Sequence, residues 1–183
     1  MRFLIISLLL AAPAAAESCP KAADHSVRFA ELVEAVRAAP NEMAAQVITN
    51  EMWALWADAP DEIAQEILDR GMQRRAGFDL GGALGDFDKL VSYCPDYAEG
   101  YNQRAFVHFI RQDYAKALVD LDRAVELSPT HIAALSGRAL TYFGLGRLSE
   151  ARADLDVAIG LNPWLPERRM LSDPAMKGNQ DEL

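Results

Sequence analysis

The sequence predicts an all-α fold, a solenoid of antiparallel helix hairpins, and three observations carry that expectation. Residues 83–95, 117–129 and 151–163 read ALGDFDKLVSYCP, ALVDLDRAVELSP and ARADLDVAIGLNP, one segment given three times at a spacing of 34 residues. Small residues recur in fixed columns, at Gly71, Ala105 and Ala139 and again at Ala83, Ala117 and Ala151. Pro95, Pro129 and Pro163 close the copies, where a helix cannot continue. A helical pattern with a period of 20–50 residues marks a stacked array in which each unit buries its apolar face on the next.

In chain order, residues 1–16 (MRFLIISLLLAAPAAA) hold one positive charge at Arg2, an apolar run and small residues at Ala14 and Ala16. That is the pattern of a secretory signal peptide, with the mature chain expected to begin at Glu17. Cys19 follows Glu17 and Ser18, a context that is read as arguing against a lipid anchor. The expected address is a bacterial periplasm or the medium, soluble and without membrane insertion. Residues 24–38 and 42–58 form a helix pair divided by Pro40, with Asn41 as N-cap. The pair lacks the small-residue columns, so residues 17–60 are expected to be a degenerate hairpin capping the array. Trp53 and Trp56 share a helical face, which suits packing against the first repeat better than ligand stacking.

Three units follow, 64–97, 98–131 and 132–165 within a repeat region of 61–165, with Ile67, Tyr101 and Leu135 and Phe87, Leu121 and Leu155 as further columns. Residues 166–183 add a short cap and a polar tail expected to be disordered. The tail's end resembles an endoplasmic reticulum retrieval signal, but Gln180 stands where lysine is usual.

The columns and spacing over residues 64–163 resemble the tetratricopeptide repeat. The tyrosine usual three residues after the small one is present only as Tyr142; Arg74 and His108 replace it in the first two units. The resemblance implies that first helices line a concave face that binds peptides. On that face would lie Leu68, Met72 and Arg75, then Asn102, Phe106 and Phe109, then Ser136, Leu140 and Phe143. One branch of the family clamps a ligand's C-terminal carboxylate with several Lys, Arg and Asn side chains. Here only Arg75 and Asn102 stand in suitable places, which argues against that mode. The competing reading is that some of these aromatics pack inside the array.

Each copy also carries an Asp-x-Asp, at Asp86 and Asp88, Asp120 and Asp122, Asp154 and Asp156. Side chains two apart on a helix point about 200° away from each other, so one pair cannot grip one ion, and no metal site is expected. Arg70, Arg104 and Arg138 recur at the same period on the first helices, where the family usually has leucine. A ladder of Arg–Asp pairs follows, with Asp86, Asp120 and Asp154 as acceptors, or Asp122 for Arg104 if the other flank faces it.

A formal charge of −9 with scattered Lys and Arg makes nucleic acid a poor partner. His25, His108 and His131 stand in unrelated contexts, and no catalytic motif or phosphate-cradling loop is present, so neither an enzyme nor a cofactor is expected. Cys19 and Cys94 are the two cysteines. An oxidising compartment permits them to pair; the alternative is one terminal and one buried thiol. The expected function is a periplasmic adaptor or assembly factor that holds a protein or peptide partner in an apolar groove. The alternative is a structural subunit that self-associates through a poorly capped C-terminal end around Ile159, Trp164 and Leu165.

Overall fold

The computed structural model describes residues 18–173 and Met176; the expected signal peptide and nearly all of the polar tail lie outside them. Eight α-helices are found there: α1 (Ser26–Arg37), α2 (Glu42–Trp56), α3 (Glu62–Ala76), α4 (Leu80–Tyr93), α5 (Ala98–Ile110), α6 (Tyr114–Leu127), α7 (Ile132–Gly144) and α8 (Leu148–Leu161), with a short 3₁₀ helix at Pro166–Ser172. Asn41 caps α2 by accepting from the Ala44 amide at 2.9 Å. Asp61 does the same for α3, which starts two residues ahead of the expected first unit. No helix among the described residues is long and apolar enough to cross a membrane.

Helices α3–α8 form three stacked hairpins. Ala83, Ala117 and Ala151 are fully buried at the α3/α4, α5/α6 and α7/α8 contacts, so the small-residue columns are where helices approach most closely. The first unit makes the coupling explicit. A Cβ on Gly71 would lie 2.5 Å from the Phe87 ring, whereas the later units pair Ala105 and Ala139 with the smaller Leu121 and Leu155.

The turns inside the hairpins also repeat. Phe78, Gln112 and Gly146 take left-handed φ values of 61°, 60° and 72°. In each, the next amide reaches back to the first helix: Asp79 to the Arg74 carbonyl, Asp113 to His108 and Arg147 to Tyr142, at 2.9 Å each. Only the last unit supplies the glycine that such a helix end favours; Phe78 holds the conformation with its ring 80% exposed.

The Asp-x-Asp pairs form an inter-unit brace. Arg104 donates from Nε and Nη2 to both oxygens of Asp120 at 2.8 and 2.6 Å, and from Nη1 to Asp88 of the preceding unit at 2.9 Å. Arg138 repeats the arrangement with Asp154 at 2.6 and 2.8 Å and Asp122 at 3.0 Å. The first Asp thus pairs within its unit and the second across the joint. In the first unit Arg70 donates to Asp86 at 3.0 Å, and Arg74 forms an ion pair with its other oxygen at 2.9 Å without hydrogen-bond alignment. Asp156, in the third unit, turns to Arg152 four residues back at 3.7 Å. These carboxylates hold the guanidinium pKa values of Arg104 and Arg138 above the usual range.

The N-terminal hairpin does not stack end-on over the first unit as a cap would. Phe29, Leu32, Val33 and Val36 of α1 and Ala45 and Met52 of α2 share one core with Ile132, Leu135, Ala158 and Leu165 of the third unit. Arg37 donates to the Gly160 carbonyl at 2.9 and 2.6 Å, and Asn162 to Thr49 at 3.1 Å. The C-terminal end of α2 returns to the first two units, where Tyr97 donates to the Trp56 carbonyl at 2.7 Å. The hairpin therefore lies along the array as a strap over the inter-unit loops. The reason is the apolar edge those loops would leave uncovered, at Tyr97, Ile132 and Leu165, which the α1 and α2 stripes bury. The Trp56 ring accordingly packs on Phe29 and His131, and its contact to the first repeat is the Tyr97 bond to its carbonyl.

Cys19 and Cys94 are joined by a disulfide with Cα atoms 5.1 Å apart, which ties the segment before α1 to the end of the first unit. At the other end, Met170, Leu171 and Met176 cover the third unit's apolar cluster, Ile159 included. Leu165 is buried under the hairpin and Trp164 packs beside it, so the surface expected to self-associate is occupied by the chain itself.

Candidate functional site

A cavity of about 430 Å³ lies between the strap and the inner helices. Its floor is α5 and α7, through Asn102, Phe106 and Phe109, then Ser136 and Leu140. Its wall is α2, through Thr49, Met52, Trp53 and Trp56; Arg75 closes one end and Leu165, Pro166 and Glu167 the other. The apolar face of α2 is wider than the α1 contact needs, and the surplus, Trp53 above all, turns into this space.

Of the residues expected on the concave face, Arg75, Asn102, Phe106, Phe109, Ser136 and Leu140 line the cavity. Leu68 does not. It is fully buried in the first unit's core, and Met72 packs against the same cluster. Phe143 packs against the terminal cluster of the third unit. These three share a helix with lining residues but sit on the side turned to the unit's own second helix, where Phe87 and Leu155 require apolar cover. The aromatics therefore divide: Phe106 is 46% exposed at the mouth, whereas Phe109 is half-buried against Tyr114 at 5.5 Å between ring centres.

Beneath the floor runs a buried polar network. Glu99, 1% exposed, accepts from Asn102 at 3.0 Å, from Gln103, and from the His131 Nε2 at 2.8 Å. His131 Nδ1 accepts from the Ala134 amide at 3.3 Å, which leaves Nε2 as the nitrogen that donates to the carboxylate. Trp56 stacks on that ring at 4.3 Å. Gln103 passes the network to the surface by accepting from Arg75, whose guanidinium lies 4.7 Å from the centre of the Phe106 ring. Burial lowers the Arg75 pKa, and Glu99 opposes that shift. A buried carboxylate is tolerated here because three donors and a nearby cation compensate it.

Glu99, Gln103, His131 and Trp56 were not legible as a site. Glu99, Asn102 and Gln103 do stand at i, i+3 and i+4 on one helix, a pattern that permits side-chain hydrogen bonds. Their outside partners, Arg75 and His131, stand 28 and 32 residues away, and the strap's Trp56 joins only through His131. Among the described residues no group of three or more His, Cys, Asp or Glu is placed to hold a metal ion.

Residues 98–131, the middle unit, match the family model described as tetratricopeptide repeat. No curated protein matches the sequence. Among solved structures the chain is similar to the first tetratricopeptide domain of Spaghetti (RPAP3) bound to the HSP90 peptide SRMEEVD, with a TM-score of 0.60 and 22% identity over 63% of this chain and 92% of that one. It is also similar to the tetratricopeptide domain of Arabidopsis OM64, with a TM-score of 0.59 and 20% identity over 67% of this chain and 98% of that one. The MamA protein gives 0.54 and 18% over 82% and 86%. At these identities the likeness is one of fold.

Proposed function

We propose that this chain, a tetratricopeptide-repeat protein by its fold and by the sequence of its middle unit, is a binding module of the periplasm or the medium that holds a segment of a partner protein. The observation that carries the reading is the strap. It converts an open concave face into a half-enclosed apolar cavity, within the roughly 300–1,000 Å³ of ligand sites. About 430 Å³ is too small for a whole helix, so the partner inserts side chains from a segment lying along α5 and α7. Asn102 on the floor and Arg75 at one end are its polar handles. Solved relatives with this fold are described as bound to HSP90 and HSP70 peptides, which supports a peptide as the ligand class. The signal-like N-terminus and the Cys19–Cys94 bond support an exported, oxidising location.

Phe106→Ala tests the reading. Burying one aromatic is worth roughly 1.5–3 kcal/mol, so partner binding should weaken about ten- to a hundred-fold. A ring that is 46% exposed in the free protein contributes little to folding, and the melting temperature should change little. Pull-downs from periplasmic extract with both proteins, followed by titration of the recovered partner, measure the first; calorimetry measures the second. Unchanged binding with a sharply lower melting temperature would make Phe106 a core residue and defeat the proposal.

A further inference from the structure

We infer that the cavity recognises an apolar side chain adjoined by a cationic one, a Lys or Arg beside a hydrophobic residue in the partner segment, and that it disfavours acidic segments. The inference rests on the peptide-binding reading and adds the sign of charge to it. Two buried oxygens lining the cavity have no hydrogen-bond partner: Ser136 Oγ, on a residue only 6% exposed, and Glu167 Oε2. A helical hydroxyl can return to a carbonyl one turn back, as Thr141 does to Gly137 at 2.7 Å; Ser136 makes no such bond. The cation next to Glu167 is spent elsewhere, since Arg168 donates to the Trp164 and Leu165 carbonyls and pairs with Glu42.

Charge decides the ligand's sign. Arg75 is the one cation among the lining residues, and Gln103, the Phe106 face and the Glu99 carboxylate behind Gln103 already engage it. His131 is taken up by Glu99, and among the described residues the Glu167 carboxylate has no ion-pair partner. A donor brought to a partly desolvated carboxylate makes a hydrogen bond roughly twice as strong as a neutral one. Phe106 already carries Arg75 and Trp56 already stacks on His131, which leaves Trp53 as the lining ring to attract a ligand cation and exclude water. The formal charge of −9 favours the approach of cationic over acidic segments to the protein as a whole.

Three fragments of one shape test this: benzylammonium, benzyl alcohol and benzoate, titrated into the disulfide-bonded protein while the indole NMR signals of Trp53 and Trp56 are followed. Benzylammonium should bind at least ten-fold more tightly than benzoate, with benzyl alcohol between them. Glu167→Gln keeps the shape and removes the charge. It should erase the preference of ammonium over alcohol while leaving alcohol affinity and melting temperature unchanged. If benzyl alcohol binds but charge makes no difference, if benzoate binds best, or if the preference survives in Glu167→Gln, the inference is overturned and the apolar pocket stands. If none of the three fragments moves either indole, the pocket reading falls as well.

Discussion

Within one Asp-x-Asp the two carboxylates should differ sharply in what they contribute, and the α6 pair shows why. Asp120 is 4% exposed and takes two hydrogen bonds from Arg104. Breaking a fully buried pair on one side costs about 3–5 kcal/mol. Arg104 keeps a fifth of its side chain in solvent and retains Asp88 at 2.9 Å, so Asp120→Ala should cost nearer about 2–3 kcal/mol. Asp122 has a side chain 53% exposed and contributes one bond to Arg138, which keeps both of its contacts to Asp154. Exposed pairs are worth roughly 0.2–1 kcal/mol, and alanine regains up to about 0.7 kcal/mol of helix propensity. Asp122→Ala should therefore fall near zero. Urea denaturation of both variants reads the difference, expected at about 2 kcal/mol, or roughly 4–8 °C in melting temperature for a chain of this size. Equal losses would refute the asymmetric brace. A divalent ion that stabilises the wild type and neither variant would restore the metal reading.

The Cys19–Cys94 bond closes a loop of 75 residues, for which the chain-entropy model gives about 4–5 kcal/mol as an upper value. Cys19→Ser should lower stability by up to that amount, and a thiol titration of the denatured, unreduced wild type should find no free sulfhydryl. Phe78→Gly relieves a bulky residue held at a φ of 61°, so it should raise stability by about 1 kcal/mol in chemical denaturation. Loss of stability there would mean that the exposed ring has a contact of its own. Burial, reinforced by Glu99, raises the Tyr97 pKa above its ordinary value near about 10, so the folded state keeps a proton that the unfolded state releases. That contribution is full below about pH 10 and lost above it. Tyr97→Phe should flatten the alkaline limb of the stability profile, while costing about 1 kcal/mol at neutral pH for the lost bond to the Trp56 carbonyl.

Much of the fold was legible because a repeat writes the same short-range physics three times. The Asn41 cap, the prolines after α4, α6 and α8, the alanine columns and the Arg–Asp ladder all depend on partners at fixed, short separations, 16 residues for each ladder bond. The split of each Asp pair between two units was not legible. Spacing along one helix says that two side chains diverge but does not say that the next unit's arginine arrives at the second. Leu68, Met72 and Phe143 were misplaced for a related reason. A residue type at a repeat column does not distinguish the groove side of a first helix from the side against its own second helix when both are apolar.

The amino-acid sequence by itself determined the helices, their pairing into hairpins and the stacking of units, since those follow from periodicity and nearest-neighbour contacts. Only the tertiary structure decided where the non-repeating hairpin lies, and with it the site. Its anchoring contacts join residues as far apart as Arg37 and Gly160, 123 positions away, and Thr49 and Asn162, 113 away. No column marks such pairs, because each occurs once. They are selected by which apolar edge the finished array leaves uncovered. The same closure brings Trp56 onto His131 and His131 onto Glu99, so the floor of the cavity comes into being only when three units and the strap are assembled.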